Sequence, residues 1–488
     1  MSDRSDFRAV RVSLHEFQGD LLAIWHFPGG SSIPPLRIDR TTVETWLGWV
    51  ARCDAATRGV GVSGAVPDRR VADLNTVGRE VFDKLVTPRA QTAWQQEFAA
   101  EDGRRLKQPL RLEFCLERAE TESPADYVTR IARLGAIPLE TMRCQPTVLS
   151  GVSETVVLGD KVSVVRKVTP IGDLASGCLD VDGKLGVLVF TPTPDVAGAE
   201  PPLEAKREVA AIRGFEEESG GRIETRIIGR FGQRRATLAA LAELAGDKQS
   251  PFHVFHFIGH GRVRPGGAGV ELLLEDEQGR PDWRDFSSVA NELFRSQARL
   301  LVLNGCQTAA VSALAAQFPA VVGMQFEISD EAAQLFAEGF YQQLAETGQL
   351  DDAVWAGRRK ILAGSAQARE DYRHPVLYMQ SEDGLLLRIP PRVIERTLPD
   401  GRLGVAYRAP LTAKGGRGPH RWSAETLPSG LDIGETTGSL EGVPREAGRR
   451  NVTIRVLSHD GLPGEVRFPL TIHAGGEDTP VILTEAIG

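Results

Sequence analysis

The chain has 488 residues, 41% hydrophobic and 25% charged, with a formal net charge of −8 and a sequence pI near 5.7. That length exceeds what one hydrophobic core usually organises, so about two to four domains are expected, and with an ordinary globular composition disorder is not the default. Mild acidity without a long Lys/Arg block argues against a nucleic-acid surface and against electrostatic attachment to a membrane.

The first residues, MSDRSDFRAVRVSLHEF, are charged from the third position and lack the apolar segment and small-residue cleavage site of a secretory leader. No stretch reaches the roughly 18 apolar residues of a membrane span, so a cytoplasmic protein is expected. Residues 8–27 read as two short strands around a Gly-Asp turn, and residues 41–52 as a capped amphipathic helix. Residues 72–101 read as mainly helical with a break near Pro88. LKQPLRLEFCLE at 106–117 alternates polar and apolar residues, which predicts a half-buried strand. A short helix over 125–135 leads into AIPLETMRC at 136–144, and the β-like runs TVVLG and KVSVVRKV follow between 150 and 170.

From about residue 184 the rhythm changes. KLGVLVFTPTP is an apolar strand, and PPLEAKREVAAIRGFEEESG the amphipathic helix that follows it. RIETRIIG, FHVFHFIGHG, RLLVLNGC and AVVGMQF read as further strands, with helices at TLAALAELAG, TAAVSALAAQF and ISDEAAQLFAEGFYQQLAETG. Wholly apolar strands alternating with helices of ten to twenty residues imply a parallel sheet with helices on both faces. From about 391 the chain is Pro/Gly-rich, with short β-runs and turn signals about every ten residues, as in a small antiparallel sandwich. Three regions result: an N-terminal α+β accessory region (1–150), an α/β domain (151–390) and an all-β module (391–488).

Five cysteines, Cys53, Cys115, Cys144, Cys178 and Cys306, are scattered and form no CxxC pair. They read as reduced thiols rather than a disulfide framework or a zinc site, and no metal or cofactor is expected. The first four read as small buried hydrophobes. Cys306 differs because it ends an apolar strand, as His260 does, and ligands of open parallel sheets bind beyond the carboxyl ends of strands. An imidazole or a helix N-terminus beside a thiol lowers its pKa from about 8.5, and the imidazole can then protonate a leaving group. The helix 308–318 would begin just after Cys306, and Gly259, Gly261 and Gly305 would let the backbone turn and aim amides at a carbonyl oxygen. Taken singly, His260 reads equally well as a polar strand-end residue and Cys306 as a packed thiol. His256 reads as a core histidine or one supporting the site, and His253 carries a still weaker functional signal.

The ordered set HVFHFIGHG, LLVLNGCQT and VVGMQFEISDEAAQLFAEGFYQQL resembles the CHAT domain, a caspase-like clan CD cysteine peptidase family related to separase. Upstream, PLRLEFCLE, AIPLETM, VLVFTPTP with PLEAKREVAAI, and GRFGQRRATLAAL extend the likeness over roughly 75–390. The resemblance implies a cysteine endopeptidase with Cys306 as nucleophile and His260 as general acid/base. It also implies that the Gly261 and Cys306 amides form the oxyanion hole. The chain departs from the family in having Asn304-Gly305 before the cysteine, Phe326 for a tryptophan, and Leu139 before Glu140. In separase-like members an acidic residue after the next strand binds a basic side chain preceding the scissile bond. Glu327 stands there, with Asp330 following, and both join Asn304 as substrate-binding candidates. A solvated Glu327 and a helix-capping Asp330 are the alternatives.

The tail, 398–461, resembles the He-PIG Ig-like module, whose core would be Trp422, Leu431 and Leu440. The combined resemblance implies a protein substrate and an activating protein partner, with the β-module offering a contact surface, in a bacterial conflict or signalling system. A catalytically silent scaffold that docks partners and a small-molecule hydrolase are the competing readings. A Rossmann dinucleotide enzyme is poorly supported because no GxGxxG follows the strand at 185–191.

Overall fold

The computed structural model describes residues 8–31, 33–58, 66–100, 106, 108–144, 149, 155–159, 162–172, 178–181, 184–194, 205–218, 221–263, 270–306, 314–326, 328–382 and 384–474. The chain divides into two compact units, Met1–Leu387 and Arg388–Gly488.

The first unit opens with β1 (Arg8–Phe17), β2 (Asp20–His26) and β3 (Leu36–Ile38), then the helices α1 (Arg40–Arg58), α2 (Val66–Leu85) and α3 (Pro88–Phe98). β4 (Leu110–Leu116), α4 (Pro124–Leu134), β5 (Val162–Val168) and the short β6 (Leu179–Asp180) follow. β7 (Leu185–Thr191), α5 (Lys206–Glu218), β8 (Ile223–Gly229), α6 (Leu238–Gly246) and β9 (Val254–Val263) continue the alternation. Next come β10 (Val270–Glu275), β11 (Pro281–Asp285), α7 (Phe286–Arg295), β12 (Leu300–Cys306) and β13 (Ala320–Met324). α8 (Asp330–Thr347), α9 (Leu350–Leu362) and β14 (Pro375–Met379) complete it.

Among the described residues, thirteen of these strands form one sheet, ordered β3-β2-β1-β4-β5-β14-β13-β12-β9. At β9 the sheet forks. β7, which carries β8, pairs with Val254–Phe257, whereas β10, which carries β11, pairs with Gly261–Val263. The pairings of β1 with β4, β4 with β5, β5 with β14, β13 with β12, β12 with β9, β9 with β7 and β7 with β8 are parallel. Every residue of β7, β13 and β14 is buried, because helices cover both faces. The architecture is the mostly parallel α/β sheet that the strand-helix alternation predicts, and residues on both sides of position 150 contribute to it.

Local signals explain much of this. Gln18 and Gly19 both take positive φ (53° and 88°) between β1 and β2, a turn that matches strand twist. Thr87 caps α3 with Pro88 in its first turn, and Thr237 caps α6 by accepting from the Ala240 N–H at 3.0 Å. Other expectations are corrected. β4 is buried at all seven positions rather than half-buried, because it lies between β1 and β5 and its polar residues Arg111 and Glu113 find ion-pair partners. Val156–Leu158 is a 3-10 turn rather than a strand, and Cys178 is exposed rather than buried. α9, whose buried residues Leu350, Ala353, Val354, Gly357 and Ile361 recur at helical spacing, and β14 are two elements that the reading of the sequence above does not name.

The second unit is all β, with the Ig-like character expected. Gly401–Arg402, Pro463–His473, Gly448–Leu457 and Arg421–Glu425 form one sheet, and Tyr407–Pro410, Ser439–Gly442 and Leu431–Ile433 another. Trp422, Leu431 and Leu440 lie in its core beside Ile454, Phe468 and Leu470. Gly438 (φ 67°) passes so close to Trp422 that a Cβ would sit 2.7 Å from the indole Cε2.

Candidate active site

β9 and β12 run parallel from Val254/Leu300 to Ile258/Asn304 in an unbroken register, and the ladder then shifts so that Cys306 pairs with Gly261. Two residues of β12 are matched by three of β9, which makes a β-bulge at Gly259–His260. Gly259 is required there, since a Cβ would stand 2.7 Å from the Phe257 ring and 3.0 Å from Pro192. His260 therefore directly precedes Gly261, the residue that pairs with Cys306 across the ladder. His260 is half-buried and Gly261 buried. The strand does not stop at His260. It continues to Val263 because β10 adds onto Gly261–Val263, so the histidine sits on a bulge inside a strand rather than at a strand end. The helix expected at 308–318 lies mostly outside the described residues.

Beneath the bulge is a polar group that the sequence did not single out as a unit. Glu208 of α5 is 3% exposed. Its Oε1 lies 3.0 Å from His256 Nε2, and its Oε2 accepts from Asn304 Nδ2 at 2.6 Å. His256 Nδ1 lies 2.7 Å from the Tyr341 hydroxyl of α8. A carboxylate can only accept, so this bonding assigns the His256 proton to Nε2 and leaves Nδ1 to accept from Tyr341. Burial, helped by the Glu208 charge, pushes the Tyr341 hydroxyl well above its ordinary pKa. His256 is therefore a core histidine. Asn304 is buried, and its side-chain amide donates to Glu208.

The loops at this rim have their own anchor. Glu275 at the end of β10 is buried and accepts from the Thr193 N–H at 2.6 Å and the Ala236 N–H at 3.3 Å, pinning the segments after β7 and before α6. Beside the bulge, Arg262 stacks 3.8 Å over the Trp283 ring and pairs with Glu271 at 2.8 Å. Of the remaining candidates, Asp330 is the exposed first residue of α8, whose cap is Ser329 rather than Asp330. Glu327 lies outside the described residues. His253 is buried beside the Gly186 N–H, and burial pushes its imidazole down to about 4. Among the described residues no group of three His, Cys, Asp or Glu is arranged to hold a metal ion, and no helix is long and apolar enough to cross a membrane.

The sheet sets a histidine-bearing strand beside a cysteine-bearing one, and the family comparison gives the class. The CHAT domain profile matches residues 134–427, more than half of the chain, and the profile described as "Putative Ig domain" matches 390–473. The chain belongs to the CHAT domain family.

No curated protein matches it. Among solved structures, the Arg-specific cysteine proteinase gingipain R is 10% identical, with 83% of this chain and 95% of that one covered and a TM-score of 0.40. The Saccharomyces cerevisiae separase–securin complex is 13% identical, covering 77% of this chain and 30% of that one, with a TM-score of 0.38. A Bacteroides fragilis protein described as a "putative alpha-galactosidase" is 26% identical at a TM-score of 0.16. That match spans 17% of either chain.

Proposed function

We propose that the protein is a cysteine endopeptidase working through a Cys306/His260 dyad. The observation that carries this reading is the shifted register, which pairs Cys306 with the residue next to His260. His260 takes the thiol proton, the thiolate adds to the carbonyl carbon of a peptide bond, and His260 returns the proton to the departing amine. Water then hydrolyses the thioester with His260 as the base. The amides of Gly261 and Cys306 are the candidate donors to the oxyanion.

The substrate is a protein chain, cleaved after Arg or Lys if Glu327 supplies the charge of the pocket, with Asp330 a secondary candidate. A cytoplasmic site of action, in a bacterial conflict or signalling system with an activating protein partner, completes the proposal. Thiols rather than disulfides at Cys115, Cys144 and Cys178 support a reducing compartment.

The test is a panel of fluorogenic peptides varied at the residue before the scissile bond, assayed with the wild type, Cys306→Ala and Glu327→Ala. Cleavage lost in Cys306→Ala, with Arg/Lys preference weakened in Glu327→Ala, is expected. If Cys306→Ala cleaves like the wild type, the nucleophile is misassigned.

A further inference from the structure

We infer that Glu208 is a positioning residue that sets the two reacting strands in register, and hence sets His260 against Cys306. The inference rests on the dyad reading. Three observations carry it.

The first is placement. One carboxylate holds a side chain from each strand, His256 of β9 through Oε1 and Asn304 of β12 through Oε2. His256 lies four residues before His260, and Asn304 two before Cys306. The second is the irregularity of the ladder next to the clamp. Regular pairing ends at Ile258/Asn304 and slides by one residue before Cys306. A backbone ladder specifies register weakly where it is already irregular, and a one-residue slip would send side chains to the opposite face. The clamp sits on the last regular pairs, where it can stop that slip.

The third observation is cost. Glu208, His256 and Asn304 are 3%, 1% and 7% exposed, and the bonds to the carboxylate come from an imidazole and an amide. Burying a carboxylate on such donors is expensive, and apolar residues of similar volume serve stability as well or better. A buried group of this kind is best accounted for by the geometry it enforces. Tyr341 extends the chain to α8 by bonding His256 Nδ1, which fixes the ring's tautomer and tilt.

The experiment is a double-mutant cycle on the full chain, read as the rate of Cys306 alkylation by iodoacetamide at neutral pH and followed on the Cys306 peptide by mass spectrometry. A lone thiol of pKa near 8.5 is only a few per cent ionised, so His260→Ala is expected to slow alkylation about 10-fold. Glu208→Ala in the wild-type background is expected to slow it about 3- to 10-fold. Glu208→Gln, which keeps an acceptor for Asn304 and a partner for the flipped imidazole, is expected to restore the rate to within about twofold. In the His260→Ala background Glu208→Ala should change nothing further, since a positioning residue acts only through the group it positions.

A rate indifferent to His260→Ala would remove the dyad and this inference together. A rate that falls in His260→Ala but not in Glu208→Ala would overturn the inference alone, and so would an equal loss from Glu208→Ala in both backgrounds, the mark of general destabilisation. If Glu208→Ala does not fold, Asn304→Ala cuts the same clamp from β12 and is held to the same criteria.

Discussion

Arg111 and Asp351 lie 240 positions apart and meet as a forked ion pair inside the first unit, with Arg111 Nε 3.0 Å from Oδ1 and Nη2 2.6 Å from Oδ2. The side chains are 1% and 0% exposed, and Ser163 also donates to Asp351. The pair locks β4 to α9. Asp351→Ala removes the forked partner of a buried guanidinium and should cost about 3–5 kcal/mol, seen as a lower urea midpoint for the first unit. Replacing both partners with leucine should recover much of the loss; if it does not, the pair contributes through more than charge burial.

His253 gives a pH dependence with a definite sign. Its folded pKa lies near 4, below the ordinary 6.5, because burial disfavours the imidazolium. The stability it contributes is fully present above about pH 6.5 and is lost as pH falls through about 4, with a ceiling of about 3 kcal/mol. His253→Gln keeps an acceptor for the Gly186 N–H and should flatten this part of the stability-against-pH curve. An unchanged curve would assign acid sensitivity to other groups.

Thiol reactivity should separate the structural cysteines. Burial pushes Cys115 up to about 12 and Cys144 up to about 11, whereas Cys178 is exposed. At pH 8 in the native state Cys178 should react within minutes with a disulfide reagent, and Cys115 and Cys144 only after denaturation. Early labelling of Cys115 would mean that β4 opens locally.

The second unit has its own core, so a fragment spanning 388–488 should fold alone. Trp422 is the one tryptophan in that span, and its fluorescence should report a single cooperative transition. Gly438→Ala should lower that midpoint by several degrees, because the new methyl meets both the indole and a left-handed backbone. Non-cooperative melting would show that the unit needs the rest of the chain.

The sequence carried the alternation of strands and helices in the α/β region clearly because β7, β9 and β12 are built on apolar runs punctuated by Gly, Pro and capping Thr. It misled at β4, where Arg111 and Glu113 mimic the solvent face of an edge strand; alternation records polarity, and polarity equals exposure only when no distant partner such as Asp351 is waiting. The neighbouring of the His260 and Cys306 strands was legible in the matched glycine-flanked ends of two apolar runs. The bulge between them was not, since an extra residue in a ladder depends on both strands at once. The partners of Glu208 stayed hidden for a similar reason. On α5 it is one acid among several, and only the fold brings its carboxylate to His256 and Asn304.

The junction between β14 and β5 is the narrowest place in the sheet, with Tyr378 and Arg166 its one bridged pair among the described residues. Arg166 reinforces it, held by Glu140, by the carbonyls of Gly135 and Ile137, by Gln325 and by the Tyr378 ring. Tension applied across the strands should therefore tear the molecule along this line first, parting it into two half-sheets that each keep their ladders whole. A single guanidinium acts as the rivet, and Arg166→Met should lower the rupture force measured by pulling from residues on opposite edges.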